Sequence, residues 1–264
     1  MAVYADLVRY RELFANLFRR DFQAKYRGSV LGILWSLVNP LALMGVYLVV
    51  ASLLLNGNIP HYPLYLLAGL TCWLFFSASV LTASRSLLDS AELIRKVRFP
   101  RQLVPFSTVA TQLVTFALML AILIVLSVVF IPGTRSTVWL AIPLAALFVG
   151  LVAGVSLIVA CLNVLFRDVE HILSAALLPW FFLTPILWRF ADLPHSVQGH
   201  HKLLEALRWG NFIAPPIYAV RDALWSGHGP RAADVIYLAV AALVALALGA
   251  FVFSRVDDRI AVEL

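Results

Sequence analysis

The sequence predicts an all-helical membrane protein that crosses the bilayer six times. Hydrophobic residues make up 62% of the chain and charged residues 13%, with a mean hydropathy of +0.92, whereas about a quarter of the residues in a soluble domain are charged. A helix needs roughly 20 mostly apolar residues to cross about 30 Å of hydrocarbon. Apolar runs lie near residues 31–55, 64–84, 103–131, 138–163, 172–188 and 235–253. Residues 1–264 are therefore expected to form one transmembrane domain, with no room for a soluble catalytic domain.

The amino-terminal segment, residues 1–27, is predicted to be an amphipathic helix on the cytoplasmic face of the membrane. Apolar side chains recur at helical spacing and polar ones occupy another face, namely Leu7, Tyr10, Phe14 and Leu17 against Arg9, Glu12, Asn16 and Arg20. Such a helix lies in the membrane interface. The basic stretch RRDFQAKYRG joins it directly to the first apolar run, so its position is expected to set the depth of that span.

The first span carries an Asn-Pro pair near its start. Pro40 has no N–H and opens the helical hydrogen-bond ladder, while Asn39 can bond a freed carbonyl inside protein or water. This pattern favours a wall that faces protein. A simple proline kink, with Trp35 in the interface, accounts for the same residues equally well.

Residues 85–101 connect the second and third apolar runs and carry many charges. Asp89 and Glu92 have the spacing of a capping box, which predicts a short helix over residues 89–98. Phe99-Pro100 ends it, because the residue before proline is biased out of the helical region. Two interpretations remain open, a solvated loop and a docking element for a partner, with Glu92, Arg95 and Lys96 near one helix face.

The fourth and fifth runs are joined by NVLFRDVEHIL, in which Arg167, Asp168, Glu170 and His171 form a second charged connection. The fifth run is short and is broken by Pro179 and Pro185. Residues 189–234 then mix aromatic and apolar residues, which suits short re-entrant helices that are buried against protein. His200-His201 has poor metal-ligand spacing and no nearby carboxylate or Cys, so we expect no metal site.

Positive charge predicts the orientation of the spans. If both termini lie in the cytoplasm, fourteen of the twenty Lys and Arg residues lie inside, as the positive-inside rule prefers. The formal charge of +6 is then explained by orientation and by contact with anionic lipids. We expect no binding to nucleic acid.

The sequence lacks the residues that other membrane functions require. Ion-coupled transporters keep ionisable residues at membrane depth, and these apolar runs are nearly free of them. No Gly-x-x-x-x-Gly-Lys-Ser/Thr phosphate loop is present, so the energy must come from another polypeptide unless the protein is a passive channel. A membrane-embedded transferase is a further alternative, but no Gly-x-Ser-x-Gly, acidic metal motif or partnered histidine supports it.

Four stretches together resemble the type-2 ABC export permeases of the polysaccharide branch, which moves O-antigen, teichoic-acid, capsular or related glycans. They are RRDFQAKYRGSVLGILWSLVNPL, LIRKVRFPRQLVP, NVLFRDVEHIL and NFIAPPIYAVRDALWSG. The resemblance implies a homodimer in a bacterial inner membrane, two separate ATPase subunits that bind ATP and Mg, no cofactor in this chain, and a lipid-linked polysaccharide as substrate.

The resemblance also implies roles for particular residues. ATPase coupling would involve the loop at 85–101 and the connection at 164–171, with Glu92, Arg95, Lys96, Phe99, Pro100, Arg167, Asp168 and His171. The amino-terminal helix would be the cytoplasmic gate, and the basic cluster that follows it would attract the pyrophosphate at the substrate entrance: Arg19, Arg20, Lys25, Tyr26 and Arg27. The alternative for this cluster is attraction to anionic lipid. Residues 189–234, on the external side of the membrane, would cap the exit of the conduit.

Aromatic side chains are the candidates for contact with sugar, because sugars stack on aromatic faces. The candidate conduit residues are Trp35, Trp73, Phe75, Phe76, Trp180 and Phe181. Interface belts and core packing are the alternative for each of them.

Overall fold

The computed structural model describes residues 2–28, 32–54, 59–189 and 201–263, and in these ranges every regular element is helical. This confirms the all-helical prediction. The helices are α1 Ala2–Arg9, α2 Arg11–Tyr26, α3 Trp35–Leu54, α4 Tyr62–Asp89, α5 Ala91–Lys96, α6 Leu103–Phe130, α7 Ala141–Leu165, α8 Val169–Leu183, α9 His201–Trp209, α10 Ala214–Arg221 and α11 Ala232–Glu263. The end of the bundle that holds α1, α5 and the carboxyl end of α11 is called the base, and the opposite end the top.

Four stretches of the described chain are helical, long and apolar enough to cross a membrane. They are Tyr62–Asp89, Leu103–Phe130, Val138–Leu165 and Ala232–Asp257. The first and fifth predicted spans correspond to α3 and α8, whose apolar stretches, Pro40–Val49 and Val169–Leu183, are shorter. Six crossings therefore stay a prediction.

The core forms around α4, which packs between α6 and α7. Because helices surround it, α4 is buried on nearly every side and its polar residues must be satisfied locally. Thr71 donates to the Leu67 carbonyl and Ser86 to the Ala83 carbonyl, each at 2.7 Å. These bonds satisfy two hydroxyls inside an apolar bundle, whereas Ser79 Oγ of the same helix is buried without a hydrogen-bond partner.

The most extensive helix–helix contact in the described chain is between α7 and α11. Gly154 permits this contact, because a side-chain carbon there would collide with the backbone at Ala245 and Leu246. Small residues allow the two backbones to approach closely. The resulting van der Waals packing holds membrane helices together, because lipid provides no hydrophobic driving force for their association.

The amino-terminal segment forms two helices that pack on the base. Leu17 is 3% exposed in a cluster with Leu87, Leu103 and Phe253, and the other residues of the predicted apolar face pack against the same cluster. Tyr4 donates a hydrogen bond to the Leu246 carbonyl. Burial raises the pKa of the Tyr4 phenol to about 12, so the hydroxyl stays protonated and remains a donor. The predicted apolar face thus contacts protein, and its placement in the membrane interface stays a prediction.

The predicted capping box at Asp89 and Glu92 is wrong. Asp89 is the last residue of α4, and Ser90 precedes the first residue of α5 without capping it through its side chain. The longer α4 has a physical cause: Leu87 is fully buried in the base cluster, and the Ser90 N–H still bonds the Ser86 carbonyl. The short helix itself is present, from Ala91 to Lys96.

The top of the bundle holds short helices between α8 and α11. α10 is largely buried and is followed by a π-helical turn, Asp222–Ser226, that ends at Gly227 with a φ of 71°. Non-spanning helices are therefore present where re-entrant ones were predicted. His195 and His200, the side chain of His201 and the side chain of Asn39 lie outside the described residues.

Candidate functional site

A partly open cavity of about 790 Å³ lies between α3, α4, α6 and α8 in the described part of the chain, with the end of α2 at one side. Its polar lining includes Lys25, Tyr26, Thr71, Ser77, Gln112, Thr115 and Ser174. Its aromatic lining includes Trp35, Tyr47, Trp73, Phe75, Phe116 and Phe181. One surface therefore offers an ammonium group, hydroxyls, an amide and several ring faces.

The predicted basic cluster is divided by the structure. Lys25 Nζ donates to Gln112 Oε1 at 2.7 Å and lies 3.5 Å from Thr115 Oγ1, and the hydroxyls of Tyr26 and Thr115 are 3.3 Å apart. Arg20 instead pairs with Asp21 at 2.8 Å and donates to Ser90 Oγ at 3.2 Å. Lys25 and Tyr26 thus line the cavity, whereas Arg19, Arg20 and Arg27 are exposed and lie outside its lining.

Lys25 lies well above the base because α2 packs along α6. Ser107 donates to the Asp21 carboxylate at 2.6 Å, and Lys25 meets Gln112 further along the same helix. At 1.5 Å per residue, Gln112 lies about 13 Å above Leu103, which begins α6 at the base. The Lys25 side chain is exposed, and partners on α6 hold its ammonium at this height.

The structure also divides the predicted conduit aromatics. Trp35, Trp73, Phe75 and Phe181 line the cavity, and Trp35 is 55% exposed. Phe76 and Trp180 lie outside the lining, where their rings pack at 5.3 Å and both contact Phe212. The Trp180 indole donates to Asn211 Oδ1 at 2.9 Å, so Trp180 joins α8 to the segment before α10.

The predicted coupling residues of α5 project away from the protein. Glu92, Arg95 and Lys96 are exposed, and Lys96 Nζ lies 3.4 Å from Glu92 Oε2. Leu93, Ile94 and Phe99 pack on the base cluster, which orients the charged face outward. Pro100 is half-buried, while Arg167, Asp168 and His171 in the second connection are exposed.

The two charged connections are joined by side chains that sequence reasoning did not select. Arg85 Nη1 lies 3.2 Å from Glu170 Oε1. The Glu170 N–H donates to Asn163 Oδ1 at 2.9 Å, so a side chain of α7 caps the first turn of α8. In most helices the side chain of the N-cap residue makes this hydrogen bond. The ends of α4, α7 and α8 therefore meet at Glu170.

No group of three or more His, Cys, Asp or Glu residues in the described ranges could hold a metal ion. Cys72 and Cys161 are buried free thiols.

Comparison with known protein families assigns the chain to a family. The family model described as ABC-2 type transporter matches residues 12–225. The chain belongs to the ABC-2 type transporter family. An O-antigen export system permease protein RfbA of Myxococcus xanthus is 32% identical over 256 residues, which are 97% of this chain and 96% of the relative.

Other relatives of this ABC-2 transporter have similar names. The O-antigen export system permease protein RfbA of Klebsiella pneumoniae is 33% identical over 188 residues, 70% of this chain and 72% of the relative. The polysialic acid transport protein KpsM of Escherichia coli is 23% identical over 240 residues, 88% of this chain and 89% of the relative. These matches confirm the resemblance to type-2 ABC polysaccharide exporters, and with the apolar helices they make the chain a multi-pass transport permease of a bacterial inner membrane.

Several cavity residues of this ABC-2 transporter were not predicted from the sequence. Gln112 is an amide inside the apolar run at 103–131, and that isolated amide was a usable signal. Thr71 and Ser174 carried no such signal, because a Ser or Thr in a membrane helix often bonds its own backbone.

Proposed function

We propose that the chain is the transmembrane subunit of an ATP-driven exporter that moves lipid-linked polysaccharide across the inner membrane. Two copies would form the conduit, and two separate ATPase subunits would bind ATP and Mg. Support comes from the relatives, which are named for O-antigen export and polysialic acid transport. The closeness of the first of these over nearly the whole chain favours an O-antigen-type glycan.

One observation carries the proposal: the cavity places the Lys25 ammonium beside aromatic rings. A lipid-linked glycan combines an anionic phosphate group with sugar rings. An ammonium is a point charge that binds phosphate, and Trp73, Phe75 and Phe181 offer surfaces on which sugars stack. A charged side chain at membrane depth is costly and is commonly functional. The cavity thus suits the first part of the glycan next to its phosphate.

The proposed topology has six crossings and both termini in the cytoplasm. The 15 residues of α8 extend about 22 Å, short of the ~30 Å hydrocarbon core. The chain after α8 would therefore complete the outer half of this region with re-entrant helices α9 and α10, which cap the exit. At the base, α2 would be the gate and α1 would rest at the lipid interface.

The proposed ATPase docking surface is the charged face of α5 together with Arg167, Asp168 and His171. These side chains are exposed at the base, where a partner can reach them. Charged rim residues of this kind set the rate and specificity of association.

The test compares Lys25 with Arg27, which carries the same charge but lies outside the cavity lining. Lys25→Met keeps the length of the side chain and removes its charge, so export of glycan to the cell surface should fall by about tenfold, as for loss of one charged hydrogen bond. Lys25→Arg should retain part of the activity, and Arg27→Ala and Arg27→Lys should leave it unchanged.

Cell-surface glycan and the amount of folded permease are measured together. Wild-type export by Lys25→Met would reject the cavity as the phosphate site. If Arg27→Lys lowers export as much as Lys25→Met does, the phosphate is recognised by the two-pronged guanidinium groups of the exposed arginine cluster. Export that continues when the ATPase partner is absent would favour a passive channel.

A further inference from the structure

The Arg85–Glu170 pair lies one helical turn below the cavity on both of the helices it joins. Leu81 of α4 and Ser174 of α8 line the cavity. Arg85 follows Leu81 by four residues, and Glu170 precedes Ser174 by four residues. Residues four apart share a helix face, so the pair continues the two cavity walls toward the base.

The same pair adjoins the segments proposed to dock the ATPase. α5 begins two residues after α4 ends. Arg85 therefore lies in the last turns of α4, close to the docking helix. Glu170 lies between Asp168 and His171 in the second connection. At the base, a displacement of α5 can therefore reach α8 through this ion pair, while ring contacts such as Phe76–Trp180 join α4 and α8 higher up.

The anchoring of the pair is unequal. Glu170 is tied a second time, because its backbone N–H is held by Asn163 Oδ1 of α7, which is 1% exposed. The Arg85 side chain is 51% exposed and that of Glu170 28% exposed. Partly exposed ion pairs contribute little to stability, so removing this one should not unfold the bundle.

We propose that Arg85 and Glu170 are positioning residues that transmit movement of α5 to α8. The pair keeps the base ends of two cavity walls together while the ATPase moves α5, so that α8 shifts with α4 and the cavity changes shape. Without the pair, the base end of α8 would follow α4 less closely, and ATP would be hydrolysed with less export. This inference rests on the proposed ATP-driven export of a glycan.

The experiment uses the full complex of permease and ATPase in vesicles, loaded with the lipid-linked glycan purified from the same cells. Arg85→Ala and Glu170→Ala should capture the ATPase and hydrolyse ATP as the wild type does. The glycan moved per ATP hydrolysed should fall about fivefold or more, a usual size for coupling between sites. The charge exchange Arg85→Glu with Glu170→Arg should recover at least half of the loss, which a purely structural role of either residue would not produce.

Asp257→Ala is the matched control. It removes the carboxylate of another base ion pair, at 2.8 Å from Arg101, while the Arg101 contact with the Asp257 carbonyl is kept. Asp257 lies on α11, which does not contribute to the cavity lining, so the ratio of export to hydrolysis should stay at the wild-type value.

The outcomes separate this inference from the proposed function. If the wild-type complex moves no glycan on ATP, the proposed function fails and the inference with it. With an active wild type, three results would overturn the inference alone: single variants with a normal ratio, an exchanged pair as defective as the single variants, or single variants that lose ATPase capture.

Discussion

At the scale of single residues, Arg221 and Gly69 form a matched pair in the upper part of the bundle. Arg221 is 1% exposed, donates to the carbonyls of Pro185 and Ile186 at 2.9 and 3.3 Å, and lies 3.7 Å from the ring centre of Tyr65. A cation over an aromatic ring is stabilised when both are removed from water. Gly69 leaves the space that the guanidinium occupies, because a side-chain carbon there would collide with Nη2.

Gly69→Ala should therefore destabilise the permease. The Arg221 guanidinium would have to shift and would weaken its bonds to the two carbonyls, at a cost of about 1–3 kcal/mol for an overpacked core. Thermal unfolding of the detergent-solubilised protein measures the effect as a lower midpoint.

Gly150→Ala is the control for this prediction. A side-chain carbon at Gly150 would lie 3.5 Å from Leu246 Cδ1, an ordinary contact, and alanine favours helix more than glycine does. Its unfolding midpoint should be unchanged or higher. Equal midpoints for Gly69→Ala and the wild type would show that Arg221 is not confined by Gly69.

At the scale of elements, α5 is a short helix with one face packed on the protein and the other exposed. Leu93 and Ile94 pack on the base cluster, while Glu92, Arg95 and Lys96 are exposed. Phe99 also packs on that cluster, so the chain that leaves α5 toward α6 is held in place. A surface of this kind can receive a partner without rearranging the core.

Reversing charge on the exposed face should weaken ATPase binding and spare the fold. In Arg95→Glu and Lys96→Glu the substituted side chain faces solvent, so membrane insertion should be normal, while attraction to an acidic patch on the ATPase becomes repulsion. Copurification of the ATPase with the tagged permease should fall by about tenfold or more, equivalent to roughly 1.4 kcal/mol.

Arg135→Glu makes the same change of charge at the top of the bundle, beyond α6, where Arg135 is exposed. It should capture the ATPase at the wild-type level. If the two α5 variants also capture it fully, α5 is a solvated connector and the docking surface is to be sought at Arg167–His171.

At the scale of the whole molecule, base and top are proposed to face opposite sides of the membrane. The base holds the charged loop at 85–101, and the top holds the turn at Pro132–Ser136. The excess of Lys and Arg at the base favours the cytoplasm for that end.

Cysteine labelling can test this orientation directly. Cys72 and Cys161 are buried, so a membrane-impermeant maleimide should not reach them in the folded protein. Ser136→Cys should be labelled in intact cells, and Arg98→Cys only after the inner membrane has been permeabilised. Labelling of Arg98→Cys in intact cells would reverse the orientation and remove α5 as an ATPase docking element.

The sequence by itself determined the helical class, the transporter family and the chemical character of several surfaces. Apolar runs must become helices in lipid, because every backbone polar group there needs an internal partner. The pair Phe99-Pro100 excludes a helix that continues through it for a local steric reason, although α5 already ends at Lys96, two residues before the predicted end. The charges of α5 could only face solvent or a partner. These properties follow from composition and from neighbours along the chain.

Only the tertiary structure decided which side chains meet. Lys25 bonds Gln112 across 87 positions, and Arg85 pairs with Glu170 across 85. Trp180, chosen as a conduit residue for its type, is instead joined to Asn211, and Asp89 belongs to α4 because Leu87 is held in the base cluster. Helical periodicity defines the faces of one helix, but the partner of each face depends on how all the helices pack, which local sequence does not encode.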